Sequence, residues 1–129
     1  MFAADELRRP LRVAVVDDNE DIRVLVGLHL SLDTRFECTA QAANGGEAIE
    51  LLDRQDIDAM VLDMHMPGLT GSDVLRAARK AGSGMRVVAF SADAQTLIVA
   101  AREGAAATVL KGDNLDRLVA ALLAESSGA

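Results

Sequence analysis

Residues Ala59 to Gly71 read AMVLDMHMPGLTG, and this stretch decides how the rest of the chain is arranged. Its apolar start is typical of a strand that is buried on both faces of a sheet. The strand ends on a carboxylate, Asp63, and Pro67 and Gly68 interrupt regular structure before the next helix. Asp63 would therefore lie at the rim of a parallel sheet, where open α/β proteins build their sites. Alternatively, Asp63 caps the following turn, as Asp often does.

Composition limits the classes of function. The chain has 129 residues, of which 50% are hydrophobic, so we expect one domain, spanning 1–129, with its own core. A net charge of −7 argues against direct binding of nucleic acid, because phosphate contacts need a basic face. No apolar run is long enough to span a membrane, and the N-terminus lacks the apolar core of a signal peptide. The single Cys38 fits a reducing compartment. We therefore predict a soluble, cytoplasmic protein with no membrane partner.

Strand and helix patterns alternate along the whole chain. Such alternation predicts a doubly wound α/β fold, because parallel strands require long right-handed crossovers that place helices on both faces of the sheet. Within the first helix, we expect Ile22, Leu25, Val26 and His29 to face the core, with His29 at its edge rather than acting as a ligand. The predicted strands are 11–16, 36–42, 59–63, 85–90 and 106–110; the predicted helices are 19–32, 47–54, 72–81, 94–103 and a last one from Asp113 or Asn114 to Leu123.

Polar residues follow four of the five predicted strands. If those strands are neighbours, their carboxyl ends bring these side chains to one rim. Three carboxylates that lie together repel one another unless a cation or raised pKa values relieve the repulsion. A divalent ion with oxygen ligands would do so, and Mg²⁺ suits a site of few carboxylates that keeps several waters. Its remaining positions would accept a phosphoryl group, which a lysine and a hydroxyl could also hold. The residues are Asp17, Asp18, Asp63, Ser91 and Lys111.

In these motifs, the chain closely resembles the receiver domains of two-component response regulators, from Val13 to about Leu123. The matching segments are VVDDNED, AANGGEAIELL, VLDMHMPGLTG, FSA and LK, in this order. The resemblance implies a flavodoxin-like sheet with the strand order 2-1-3-4-5. It also implies a phosphorelay function, in which a sensor histidine kinase or a phosphotransfer protein phosphorylates the chain and so changes its protein contacts.

The resemblance assigns a role to each site residue. Asp63 would be the phosphoacceptor that attacks a phosphohistidine. Asp18 would bind Mg²⁺ directly, Asp17 largely through water, and the backbone carbonyl of His65 would complete the protein ligands. Ser91 would bind a phosphoryl oxygen and move toward it on activation, and Lys111 would pair with the phosphoryl charge. Pro67, Gly68 and Gly71 would shape the loop without taking part in the chemistry.

Three positions depart from the family's usual pattern. Gly112 replaces the proline that often follows the lysine, and we expect the Lys111–Gly112 peptide to be trans, since a non-proline cis bond costs about 2.5–4 kcal/mol. Thr108 stands where the family usually has an aromatic that turns inward on activation. Ser91 replaces the commoner threonine. The missing aromatic affects the switch readout rather than the phosphorylation chemistry.

Other functions are also compatible with parts of this pattern. A metal-dependent phosphohydrolase of the haloacid-dehalogenase type needs a second acid two residues after its nucleophile, where this chain has His65. A degenerate receiver would act as a scaffold without phosphorylation, but all five site residues are present in usable form. A nucleotide-binding module is disfavoured, because the loop after the first strand is acidic rather than glycine-rich.

The fourth helix points to an interaction surface. Residues 94–101 carry no charge, and Leu97, Ile98 and Val99 are consecutive, so they span about 200° of the helix perimeter and at least one must face solvent. The resemblance places this helix on the face formed with the fifth strand and the fifth helix, through which receivers meet an effector protein or a second copy. The tail at 126–128, SSG, could be a frayed end or the start of a linker.

Overall fold

The computed structural model describes residues 9–124. In chain order, five strands alternate with five helices over this part of the chain. The strands are β1 (Leu11–Val16), β2 (Phe36–Ala42), β3 (Ala59–Asp63), β4 (Arg86–Ser91) and β5 (Ala107–Leu110); the helices are α1 (Glu20–Ser31), α2 (Gly45–Leu51), α3 (Gly71–Ala81), α4 (Ala94–Arg102) and α5 (Leu115–Leu123).

The strands form one parallel sheet in the order β2-β1-β3-β4-β5, which confirms the predicted doubly wound fold and strand order. Every residue of β3 is buried. Its side chains alternate between the two faces of the sheet. Met60 and Leu62 pack with α2, α3 and α4, whereas Ala59 and Val61 pack with α1 and α5. The central position of β3 explains why its sequence is an uninterrupted apolar run.

Two helices of the described chain begin at glycines that follow a capping residue. Asn44 caps α2 and Thr70 caps α3, the latter through a reciprocal capping box with Asp73. Both helices therefore begin slightly before their predicted first residues. Asn114, one of the two predicted candidates, caps α5.

The prediction of which α1 side chains face the core is partly wrong. Val26 and Leu30 are buried, but the predicted core residue Leu25 is 53% exposed. His29 is half-buried at the edge of the core, as predicted, with Nε2 at 3.6 Å from Asp116 Oδ1. Leu25 belongs to a second apolar stripe with the same helical period, which periodicity alone cannot distinguish from the core stripe.

The Lys111–Gly112 peptide is trans, as predicted, and Gly112 has a positive φ of 94°. Across residues 9–124, no helix has the length and apolar character needed to cross a membrane. The tail at 126–128 lies outside the described residues. Residues 1–8, for which the sequence predicts no signal peptide, also lie outside them.

Candidate functional site

The predicted site residues meet at the carboxyl rim of the sheet. Asp17 and Asp18 directly follow β1, and Asp63 ends β3, which is the neighbour of β1. One carboxylate oxygen from each lies within 4.8 Å of the others. Asp17 and Asp63 are buried, whereas Asp18 is exposed. The cluster thus combines two fixed carboxylates with one that faces solvent.

Lys111 provides the positive charge of the site. Its Nζ lies 2.8 Å from Asp17 Oδ2 and 3.1 Å from Asp63 Oδ1, so one ammonium group is shared by two buried carboxylates. Burial lowers the pKa of Lys111, but the hydrogen bond to Asp17 and the charge of Asp63 outweigh this effect and raise it. The ammonium group also lies 5.5 Å from the centre of the Phe90 ring. The lysine is therefore held in its charged form beside Asp63.

Asp63 has an unusual protonation equilibrium. Burial raises its pKa from the ordinary value of 3.8 to about 6, and the nearby charge of Asp17 acts in the same direction. The backbone N–H of His65, which donates to Asp63 Oδ1 at 3.1 Å, and the charge of Lys111 oppose this shift but do not cancel it. Above pH 6, Asp63 is therefore mainly an anion that is poorly solvated.

Ser91 ends β4, the neighbour of β3, and is fully buried. Its hydroxyl oxygen accepts a hydrogen bond of 3.1 Å from the backbone N–H of Asp93. Its carbonyl oxygen accepts a hydrogen bond of 2.8 Å from the backbone N–H of Lys111. Ser91 is thus hydrogen-bonded both to the loop that leads into α4 and to Lys111, which directly follows β5.

His65 links the loop after β3 to the first turn of α4. Its ring Nε2 lies 3.1 Å from Thr96 Oγ1, and the Thr96 hydroxyl donates to Asp93 Oδ2 at 3.0 Å. Asp93 in turn caps α4. The family resemblance assigns a role to the backbone carbonyl of His65 but none to its ring, and no spacing rule connects positions 65 and 96. The contact depends on the fold, which places the loop after β3 beside the first turn of α4.

The loop after Asp63 packs closely against the first residues of α2 and α3. A Cβ atom at Gly71 would lie 2.7 Å from Met64 Cα and 2.9 Å from the backbone oxygen of Asp63. A Cβ atom at Gly45 would lie 2.6 Å from both Leu69 Cβ and the Leu69 carbonyl oxygen. Both positions therefore exclude side chains because backbone approaches them closely, and Gly71 contacts the backbone of Asp63.

The C-terminal end of α4 is fixed to α3. Glu103, the residue that follows α4, accepts a hydrogen bond of 2.6 Å from the Ser72 hydroxyl and an ion-pair contact of 3.1 Å from Arg76. Arg79 Nη2 also donates to the Arg102 carbonyl oxygen at 3.3 Å. These contacts hold one end of the helix, while His65 and Asp93 hold the other.

A groove of about 730 Å³ separates α4 from α5 above β5. Thr108, at which the resemblance implied an aromatic, lies in the lining of this groove and is exposed. Leu97 is buried, while Ile98 and Val99 are exposed, which confirms the prediction for these three residues. Ile98 lines the groove. A small side chain at position 108 thus leaves an open apolar groove on this face.

Residues 13–123 match the sequence model of the response regulator receiver domain family, and the chain belongs to this family. It is 35% identical over 124 residues to the nitrate/nitrite response regulator protein NarP of Escherichia coli (strain K12), covering 92% of this chain and 56% of that protein. The chain thus spans little more than half the length of this curated relative.

Solved structures agree with this assignment. The signal receiver domain of the putative response regulator NarL from Mycobacterium tuberculosis is 32% identical, with a TM-score of 0.82, and the match covers 89% of this chain and 94% of that chain. The CheY6 structure from R. sphaeroides in complex with the P1 domain of CheA3 is 30% identical, with a TM-score of 0.74 and coverage of 90% and 98%.

Proposed function

We propose that this protein is the phosphoacceptor of a two-component phosphorelay and that Asp63 takes the phosphoryl group. The observation that carries this proposal is the position of Asp63, a buried carboxylate with a lysine ammonium at 3.1 Å and two further carboxylates within 4.8 Å. Family membership supports the same chemistry. The similar CheY6 forms a complex with the P1 domain of CheA3, which supports a histidine kinase or phosphotransfer protein as the donor.

In the proposed reaction, a carboxylate oxygen of Asp63 attacks the phosphorus of a phosphohistidine. The P–N bond breaks, the imidazole leaves, and an acyl phosphate forms on Asp63. Lys111 would move from its carboxylate partners toward the phosphoryl oxygens, and the Ser91 hydroxyl would donate to one of them. The protein assists only its own phosphorylation and dephosphorylation, so we do not propose an enzyme with a separate substrate.

The donor set fits Mg²⁺, because three clustered carboxylates with one ammonium group retain excess negative charge. Asp18 would bind the ion directly, Asp17 largely through water, and Asp63 and the backbone carbonyl of His65 would supply further oxygens. When bound, Mg²⁺ neutralises the charge that develops on the transferring phosphoryl group.

Phosphorylation with a small donor tests the proposal. The wild-type protein should gain the mass of one phosphoryl group when it is incubated with acetyl phosphate and Mg²⁺, and the gain should disappear with EDTA. A degenerate scaffold would show no gain under any condition. A phosphohydrolase would release phosphate from many substrate molecules per protein, but His65 lies where it needs a second acid, and its ring contacts Thr96 instead.

Removing one acid should separate fold stability from metal binding. Because the carboxylates repel one another, Asp18→Ala should raise the melting temperature of the metal-free protein slightly and weaken Mg²⁺ binding by about tenfold or more. Thermal denaturation with and without Mg²⁺ measures both effects. Asp21→Ala, which changes an exposed acid in the first turn of α1, is a matched control for net charge. A lower melting temperature for metal-free Asp18→Ala would contradict the repulsion argument.

We further propose that the α4–β5–α5 face carries the output signal. Its apolar groove would receive an effector protein or a second copy, with access controlled by the Ser91 loop that leads into α4. Because Ile98 lines the groove, Ile98→Glu should abolish phosphorylation-dependent association and leave labelling of Asp63 intact.

Val99→Glu is the matched control for this output prediction, since Val99 is 46% exposed on the same helix but does not line the groove. Sedimentation velocity with and without acetyl phosphate, together with signalling output in the host, measures the effect. Equal behaviour of the two variants would place the output surface elsewhere. The single-domain organisation over 1–129 and the cytoplasmic location stay predictions.

A further inference from the structure

Arg23, in α1, holds the loop that carries the two acids after β1. Its Nη1 donates a hydrogen bond of 2.7 Å to the backbone carbonyl oxygen of Asp17, and the side chain is half-buried. A hydrogen bond from a charged donor is shorter and stronger than one between neutral groups, so this contact fixes the direction of the carbonyl group. The phosphoryl-transfer chemistry proposed for Asp63 does not by itself require an arginine at this position.

The partner that Arg23 binds is a neutral group in acidic surroundings. Four acidic side chains precede it between positions 17 and 21. Over residues 9–124, however, Arg23 forms no salt bridge, and its guanidinium group binds a main-chain carbonyl instead. A guanidinium group pairs readily with carboxylates. The contact is therefore set by the course of the loop rather than by a general attraction between opposite charges.

Further hydrogen bonds close the same loop on α1. The Asn19 side chain caps α1 by accepting from the backbone N–H of Asp21, and the backbone N–H of Arg23 donates to the Asn19 carbonyl oxygen at 3.1 Å. Asp17 Oδ1 accepts the backbone N–H of Asn19 at 2.9 Å. Together with the guanidinium contact, these bonds fix the backbone on both sides of Asp18.

Asp18 depends on this backbone for its position. It is exposed, and among residues 9–124 no side-chain hydrogen bond or salt bridge holds its carboxylate, whereas Asp17 and Asp63 are buried and share the ammonium group of Lys111. The carbonyl that Arg23 binds belongs to the planar peptide between Asp17 and Asp18. Rotation of this peptide would therefore swing the Asp18 side chain away from the other two carboxylates.

We propose that Arg23 is a positioning residue for the Mg²⁺ site, which orients the peptide between Asp17 and Asp18 so that the Asp18 carboxylate faces the ion. This inference rests on the proposed function, in which Asp18 binds Mg²⁺ directly. Because its contact is with a main-chain oxygen, Arg23 acts through the loop and touches neither the ion nor the phosphoryl group. Removal of groups that orient metal ligands typically lowers metal affinity by roughly 10–100-fold.

Charge and orientation predict opposite effects of removing Arg23. A positive charge near the site repels Mg²⁺, so a purely electrostatic role means that loss of the charge strengthens metal binding. A positioning role means that loss of the donor weakens it. Arg23→Met removes both the charge and the donor but keeps a long unbranched side chain, whereas Arg23→Lys keeps the charge and an ammonium donor for the carbonyl.

Titration with Mg²⁺, followed by the amide chemical shifts of isotopically labelled protein, measures these affinities without phosphorylation. Arg23→Met should bind Mg²⁺ about tenfold or more weakly than the wild type, and Arg23→Lys should lose less. Lys80→Met removes an exposed charge in the last turn of α3, at the end of the helix remote from Asp63, and should bind as the wild type does. Equal or tighter binding by Arg23→Met would overturn the proposal, as would an equal loss in Arg23→Lys.

The labelling rate separates a positioning role from a general loss of structure. With acetyl phosphate at low Mg²⁺ concentration, Arg23→Met should be labelled about tenfold more slowly than the wild type, and saturating Mg²⁺ should restore the rate to within about twofold. A rate that stays low at saturating Mg²⁺ would mean that the substitution damages the acceptor itself, and would refute the inference. Absence of labelling in the wild-type protein would contradict the phosphoacceptor proposal alone, because the Mg²⁺ titration still compares Arg23→Met with the wild type.

Discussion

Asp63→Asn should gain no phosphoryl mass with acetyl phosphate and Mg²⁺, under conditions in which the wild-type protein gains one phosphoryl group. The amide lacks the anionic oxygen that attacks phosphorus, while its shape and its place at the end of β3 are kept. Intact mass spectrometry measures the outcome. Persistent labelling of the variant would show that another acid, such as the exposed Asp18, accepts the group.

The same substitution should stabilise the fold at neutral and alkaline pH. The pKa of Asp63 is raised from 3.8 to about 6 in the folded protein, so the fold binds this proton more tightly than the unfolded chain does. The wild-type protein therefore loses stability as the pH rises from about 4 through about 6, by roughly 2–3 kcal/mol from this group. Asn does not ionise and should remove this loss.

Urea denaturation at pH 5 and pH 8 measures the effect on stability. We expect Asp63→Asn to be the more stable protein at pH 8 and its advantage to shrink at pH 5, where the wild-type carboxyl is largely protonated. An equal advantage at both pH values, or a loss of stability at pH 8, would show that the ion pair with Lys111 outweighs the burial of Asp63.

Gly71→Ala should impair both the fold and phosphorylation, although residue 71 has no reactive group. The added Cβ would meet two backbone atoms, Met64 Cα at 2.7 Å and the Asp63 oxygen at 2.9 Å, which cannot move aside as a flexible side chain could. Overpacking of this kind costs about 1–3 kcal/mol. Because the displaced backbone carries Asp63, labelling by acetyl phosphate should also slow by about tenfold.

Gly84→Ala is a matched control, since Gly84 is exposed and a Cβ there would meet no atom within 4 Å. Its stability should change by less than about 1 kcal/mol, and phosphorylation should proceed at the wild-type rate. If Gly71→Ala matched Gly84→Ala in both urea denaturation and labelling rate, the contact with the Asp63 backbone would be unimportant.

The features that sequence could predict depend on local patterns. The apolar run of β3 and its acidic end predicted both the central strand and the position of Asp63, because burial on two faces leaves a clear signature. Convergence of Asp17, Asp63 and Lys111 was predicted on the strand order that the family resemblance implies, since the carboxyl ends of parallel strands lie at one edge of the sheet. Helix starts shifted where a cap lay before a glycine, as at Thr70 and Gly71, and the second helix ends at Leu51 rather than at the predicted residue 54.

The features that sequence missed depend on contacts between distant segments. Leu25 has the same helical period as the core residues, and only the direction of α1 relative to the sheet shows that it faces outward. Contact between the His65 ring and Thr96 joins two loops that no spacing rule relates. Close packing of Gly45 against Leu69 likewise depends on how two loops cross.

The unequal attachment of the ends of α4 has a mechanical consequence. At its C-terminal end, Glu103 and the Arg102 carbonyl are bound to three residues of α3, whereas its first turn meets the loop after β3 through the contact between Thr96 and His65. A helix of nine residues is about 13 Å long. It would behave as a lever with its pivot at Glu103, and a tilt of about 10° would carry the first turn through about 2 Å. The mouth of the groove near Ala94 would widen or narrow most, and the end near Arg102 would hardly move.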